Sequence, residues 1–116
     1  MEKILIIDDQ ADLRKLLADY FQLNGYVVFI AKDGIEALRQ AEKQPNIILL
    51  DINMPEKDVL DVFREICGFV SCPILFLTAR IEDAEKISDF QAGGDEYIQK
   101  PIGIHELGAR VAAHLR

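Results

Sequence analysis

Four short apolar runs in this chain stop abruptly at residues that carry chemistry. Ile4-Leu5-Ile6-Ile7 runs into Asp8-Asp9, and Ile47-Ile48-Leu49-Leu50 into Asp51. Ile74-Leu75-Phe76-Leu77 runs into Thr78, and Tyr97-Ile98-Gln99 into Lys100-Pro101. Each has the length and β-branched content of a buried strand, and a fifth run, Tyr26 to Ala31, reads the same way. Helical patterns separate them. Alternating strands and helices imply a parallel sheet covered on both faces through right-handed crossovers. Strands buried on both faces should be continuously apolar, as the first, third and fourth are.

The helices are legible from their stripes and stops. Leu13, Leu16, Leu17, Tyr20 and Phe21 recur at helical spacing, and Asn24-Gly25 supplies a left-handed stop. Asp33-Gly34 caps a helix carrying Ile35, Leu38 and Ala41, which Pro45 breaks. Val59, Val62, Phe63, Ile66 and Cys67 form the next stripe, closed by Gly68, and Pro73 opens the fourth strand. A weaker helix around Ala84, Ile87 and Phe90 ends at Gly93-Gly94. A last one starts near Ile104 and carries Leu107, Val111 and Leu115. The expected fold is a flavodoxin-like (βα)5 unit, five parallel strands in the order 2-1-3-4-5. In that order the first and third strands flank the topological switch point, so Asp8, Asp9 and Asp51 share one crevice.

The 116 residues make one domain, 1–116, large enough to bury a core. Half are hydrophobic but in short runs, so no stretch spans a bilayer, and two acids follow the only N-terminal apolar run, unlike an export signal. A cytoplasmic location is expected. The net charge of −7 argues against nucleic-acid binding by this segment itself. Cys67 and Cys72 are too few for a disulfide framework and lack metal-site spacing; reduced, partly buried thiols are expected.

Three ionised carboxylates within a few ångströms repel one another, so the cluster needs a proton or a cation. A small hard cation held by carboxylates, a carbonyl and waters leaves positions open for phosphate oxygens. Lys100 adds a point charge from the opposite side and Thr78 a hydroxyl. A carboxylate beside a divalent ion can attack phosphorus and form an aspartyl phosphate, while cation, ammonium and hydroxyl neutralise the equatorial oxygens. No Gly-rich phosphate loop is present, so nucleotide binding is not indicated.

With these residues in place the chain resembles a response-regulator receiver domain over essentially its full length. The resemblance rests on Asp8-Asp9, Asp51-Ile52-Asn53-Met54-Pro55, Thr78-Ala79 and Lys100-Pro101, and on the spacing between them. It implies that a sensor histidine kinase phosphorylates Asp51. It also implies that Asp9, Asp51 and the Asn53 carbonyl bind Mg²⁺ directly, with Asp8 helping through water. Thr78 and Lys100 would contact the phosphoryl oxygens, Tyr97 would be the aromatic switch, and Lys100-Pro101 would be cis. Two positions depart from the family pattern. Val59 stands where many receivers carry glycine, restricting the backbone to negative φ. Ile102 replaces a common Phe, altering the packing below the site.

Thr78-Ala79-Arg80, Asp95-Glu96-Tyr97 and Glu106-Leu107-x-x-Arg110 narrow the resemblance to OmpR/PhoB-like receivers. These dimerise on phosphorylation through the face made by the fourth helix, fifth strand and fifth helix. Lys86, Glu96, Glu106 and Arg110 fall where that subfamily places intersubunit ion pairs. A receiver module without its transcriptional output domain is expected, neither a turnover enzyme nor a membrane protein; a free-standing receiver is the alternative.

Each feature also has an ordinary reading. Asp8-Asp9 alone suits a helix N-terminus, Thr78 a cap, Lys100-Pro101 a turn and Tyr97 a packing residue. The four charges at the interface positions would by default be solvated, and His105 and His114 exposed bystanders. Convergence at four strand ends overturns the ordinary reading for the acids, Thr78 and Lys100. An aspartate-nucleophile phosphatase would want a second Asp where Asn53 stands. A flavin-binding module would want a hydroxyl- and glycine-rich loop where Asp9-Gln10-Ala11-Asp12 stands. A receiver that is never phosphorylated would have no reason to carry every chemical residue.

Overall fold

The computed structural model describes residues 1–52, 59–68, 70–79 and 96–116. Strands β1 (Lys3–Ile7), β2 (Val27–Ala31), β3 (Ile47–Asp51), β4 (Ile74–Thr78) and β5 (Glu96–Gln99) form one sheet. All neighbours pair parallel, in the order β2-β1-β3-β4-β5. Among the described residues the helices are α1 (Ala11–Leu23), α2 (Gly34–Ala41), α3 (Val59–Cys67) and α4 (Ile104–His114). The flavodoxin-like order expected from the sequence is therefore present. The expected helix around Ala84, Ile87 and Phe90 lies outside the described residues, as do Asn53, Arg80 and Lys86.

Period-two alternation sorts the strand side chains into two cores. Ile4, Ile6, Leu49 and Leu77 point to the layer holding Leu17 and Phe21 of α1 and Leu107 and Val111 of α4. Leu5, Ile7, Leu50 and Phe76 point to the layer holding Ala37 and Ala41 of α2 and Val62, Phe63 and Ile66 of α3. Full burial of one such Leu, Ile or Phe side chain stabilises the fold by about 1.5–3 kcal/mol. The central strands β1, β3 and β4 carry most of that burial, whereas the edge strands β2 and β5 are half-covered.

Local signals act as their chemistry predicts. Gly25 takes φ 90° just beyond α1, a conformation an L side chain rarely adopts. The Asp33 carboxylate caps α2 by accepting the Glu36 N–H at 2.9 Å. Val59 opens α3, where negative φ is what a helix requires. Two expected core positions are not in the core: Leu16 is 56% exposed and Ile35 64%. Each lies at the margin of its helix's apolar stripe, where the sheet no longer covers it.

Candidate functional site

Register brings the chemistry together. Ile7 pairs with Leu50, so Asp8 and Asp51, one residue further on, leave neighbouring strands side by side. Asp51 itself pairs with Leu77, and Thr78 with Gln99, so Thr78 and Lys100 emerge on the same edge. Main-chain hydrogen bonds continue the pairing past the strand ends. The Ile52 N–H donates to the Leu77 carbonyl at 3.0 Å, and the Lys100 N–H to the Thr78 carbonyl at 2.7 Å. Lys100-Pro101 is cis.

Asp8, Asp9 and Asp51 each offer a carboxylate oxygen, and these oxygens lie within 4.8 Å of one another. Asp8 and Asp51 are buried and Asp9 is exposed at the rim. The Lys100 ammonium reaches between the two buried acids, 3.4 Å from Asp8 Oδ2 and 3.6 Å from Asp51 Oδ1. The other Asp8 oxygen accepts the Gln10 N–H at 2.9 Å. Thr78 is buried at the end of β4. Within the cluster, three carboxylates face one ammonium, leaving two formal negative charges that one divalent cation would balance. Oxygen donors, one of them at the open rim, are what Mg²⁺ accepts. The donor set fits the metal; Asn53, the expected fourth contributor, lies outside the described residues.

Sequence reasoning missed one contributor to this site. Arg14 Nη1 donates to the Asp8 main-chain carbonyl at 2.8 Å, pinning the exit from β1. Its only signal was a basic residue in the first turns of the helix following the acids. Tyr97 is half-buried and stacks on Phe76, with ring centroids 5.2 Å apart and planes at 13°. Burial raises its phenol pKa.

Of the expected interface charges, Glu96, Glu106 and Arg110 form a cluster within the chain. Arg110 Nη1 donates to Glu96 Oε2, and Arg110 Nη2 to Glu106 Oε2 at 3.0 Å. His114 Nε2 lies 2.9 Å from the second Glu96 oxygen, so His114 is no bystander; it is half-buried against β5. His105 is exposed, as expected, with its ring edge-on to Tyr20 at 5.6 Å. Burial pushes the Glu96 carboxyl up, but the hydrogen bonds from His114 and Arg110 outweigh it and hold the group below its ordinary 4.5. Stability from this pairing is complete above pH 4.5 and is lost as pH falls through the lowered value. Melting temperatures of the wild type and Glu96→Gln should thus differ most at neutral pH and converge in acid. A gap that persists unchanged in acid would show that ionisation of Glu96 contributes nothing.

Residues 4–112 match the protein family described as "Response regulator receiver domain". The transcriptional regulatory protein ResD of Bacillus subtilis is 41% identical over 115 residues, which are 98% of this chain and 48% of that protein. Other curated relatives also bear the names of transcriptional regulators. The chain spans about half the length of the curated relatives it matches. A two-component response regulator from Clostridium difficile superposes with a TM-score of 0.90 at 30% identity, over 100% of this chain and 97% of that one. The response regulator TrrA from Thermotoga maritima, solved in complex with Mg²⁺-BeF, gives 0.83 at 32% identity, over 99% and 100%.

Proposed function

This chain belongs to the response regulator receiver family, a family of signalling domains, and from that premise we propose that Asp51 is its phosphoacceptor. The observation that carries this reading is the meeting of Asp8, Asp9 and Asp51 oxygens within 4.8 Å, with Lys100 between the buried pair. A carboxylate oxygen of Asp51 attacks the phosphorus of a phosphohistidine on a sensor kinase. The P–O bond forms as the P–N bond breaks, and the imidazole leaves. Lys100 holds Asp51 in place beforehand and then faces the oxygens of the new phosphoryl group; the Thr78 hydroxyl donates to another of them. Asp8, Asp9 and Asp51, with the Asn53 carbonyl, would hold Mg²⁺. Bound there, the ion supplies positive charge for the phosphoryl oxygens and relieves repulsion among the acids. The chain serves as a substrate of its own chemistry, catalysing only its phosphorylation and dephosphorylation.

Phosphorylation adds up to about two negative charges at Asp51. These draw the Thr78 hydroxyl and Lys100 inward, and Tyr97 follows into the vacated space. The shift favours a surface carrying Lys86, Glu96, Glu106 and Arg110, through which the domain forms a homodimer. By analogy with its relatives, that dimer controls a transcriptional output in the cytoplasm. The test is incubation with acetyl phosphate and Mg²⁺ followed by intact-mass measurement, with gain of one phosphoryl group as the expected result. No gain under conditions that label a known receiver would overturn the proposal.

The metal gives a separate expectation. Mg²⁺ alone should raise the melting temperature by relieving repulsion within the cluster, following the concentration dependence of a single weak site. Asp9→Ala should remove most of that rise, and because Asp9 is exposed the variant should fold normally. An unchanged Mg²⁺-dependent shift in Asp9→Ala would exclude Asp9 as a direct ligand.

A further inference from the structure

Glu96 is gripped by one helix from two directions. Glu106, Arg110 and His114 stand one turn apart on α4, so they share a helix face, and that face meets β5 at Glu96. Arg110 takes Glu96 Oε2, His114 takes Oε1 at 2.9 Å, and the other arm of Arg110 bridges to Glu106 at 3.0 Å. Exposure is graded along the cluster. The Glu96 and His114 side chains are each 25% exposed, Arg110 is 40% and Glu106 60%. The histidine and the strand carboxylate are the inner members, and of the two donors to Glu96 the arginine is the more exposed.

A dimer paired through Arg110 and Glu96 requires each Arg110 to leave its own Glu96 for that of the other copy. During that exchange Glu96 is a largely covered carboxylate losing a charged donor, a costly state unless another donor stays. His114 is that donor. Because it contacts the oxygen Arg110 does not use, it can hold the carboxylate in one rotamer before, during and after the exchange. We propose that His114 is a positioning residue for the docking surface of this chain, holding Glu96 so that Arg110 can swap from its own chain to a second copy. This rests on the dimer reading given above.

The experiment separates the clamp from its consequence. In the unphosphorylated monomer, carboxyl NMR should show Glu96 titrating at higher pH in His114→Ala than in wild type. His114→Gln, whose side-chain N–H can still donate, should restore the lower midpoint. In beryllofluoride-treated protein, sedimentation should show the His114→Ala dimer weakened about tenfold, because a Glu96 freed to change rotamer must be immobilised on docking, with His114→Gln close to wild type. Labelling by acetyl phosphate should be the same in all three. A Glu96 midpoint unmoved in His114→Ala overturns the clamp itself. A shifted midpoint with an undiminished dimer overturns the positioning role. A wild type that stays monomeric when activated, with the midpoint shift intact, overturns the dimer reading and the positioning role with it.

Discussion

Asp51→Asn is expected to gain no phosphoryl mass from acetyl phosphate and Mg²⁺ under conditions that label the wild type. An amide cannot serve as the attacking oxyanion, so the reaction loses its nucleophile rather than a supporting interaction. The fold should survive. Asn has the shape of Asp, Lys100 keeps its 3.4 Å contact to Asp8, and removing one of three clustered charges lessens repulsion. Melting temperature should therefore hold or rise while labelling disappears. Intact mass and thermal unfolding on the same preparation test both halves. Labelling of the variant on Asp8 or Asp9 at the wild-type rate would reassign the nucleophile.

The second large effect concerns assembly. Arg110→Glu should leave labelling intact but prevent the activated chain from dimerising, and Glu96→Arg should do the same. Each single change puts like charges beside one another, both within the chain and across a two-fold axis. Mixing the two activated variants should restore a dimer, because in the mixed pair every Glu faces an Arg. Combining both changes in one chain would also mend the internal pair, so only the mixture reports on contacts between copies. High salt should weaken wild-type and mixed dimers alike. Sedimentation of the two variants apart and together decides it. A mixture as monomeric as its components would move the interface elsewhere, and Arg110→Glu dimerising like wild type would do so too.

The parts of this molecule legible in the sequence are those where one physical rule dominates. Continuous apolar runs identified β1, β3 and β4 because strands covered on both faces tolerate nothing polar. The parallel topology then forced their ends to one edge, so Asp8, Asp51, Thr78 and Lys100 could be placed without coordinates. Rules that compete were less informative. Helical spacing put Leu16 and Ile35 with the core, but a stripe gives a direction and not the width of the sheet beneath it, and both stand in solvent. The His114–Glu96 contact depends on how α4 lies across β5, an angle no local pattern encodes. Arg110 was read as a partner for another copy, and its engagement of Glu96 at home was invisible for the same reason, whereas its i,i+4 pairing with Glu106 lay within reach of helical spacing.

The contact between Lys100 and Asp8 joins residues 92 positions apart in the chain. Strand β5 sits at the sheet edge, paired only to β4, and brings that lysine with it. Contacts of such long sequence separation form late, because the entropy of closing the intervening loop must be overcome before they contribute anything. A nascent chain can therefore pair β1 with β3 and bring its acids together well before their counter-charge has been synthesised. The cluster thus gains its ammonium only with the last strand, and a half-made copy holds three acids together with no Lys100 to offset them.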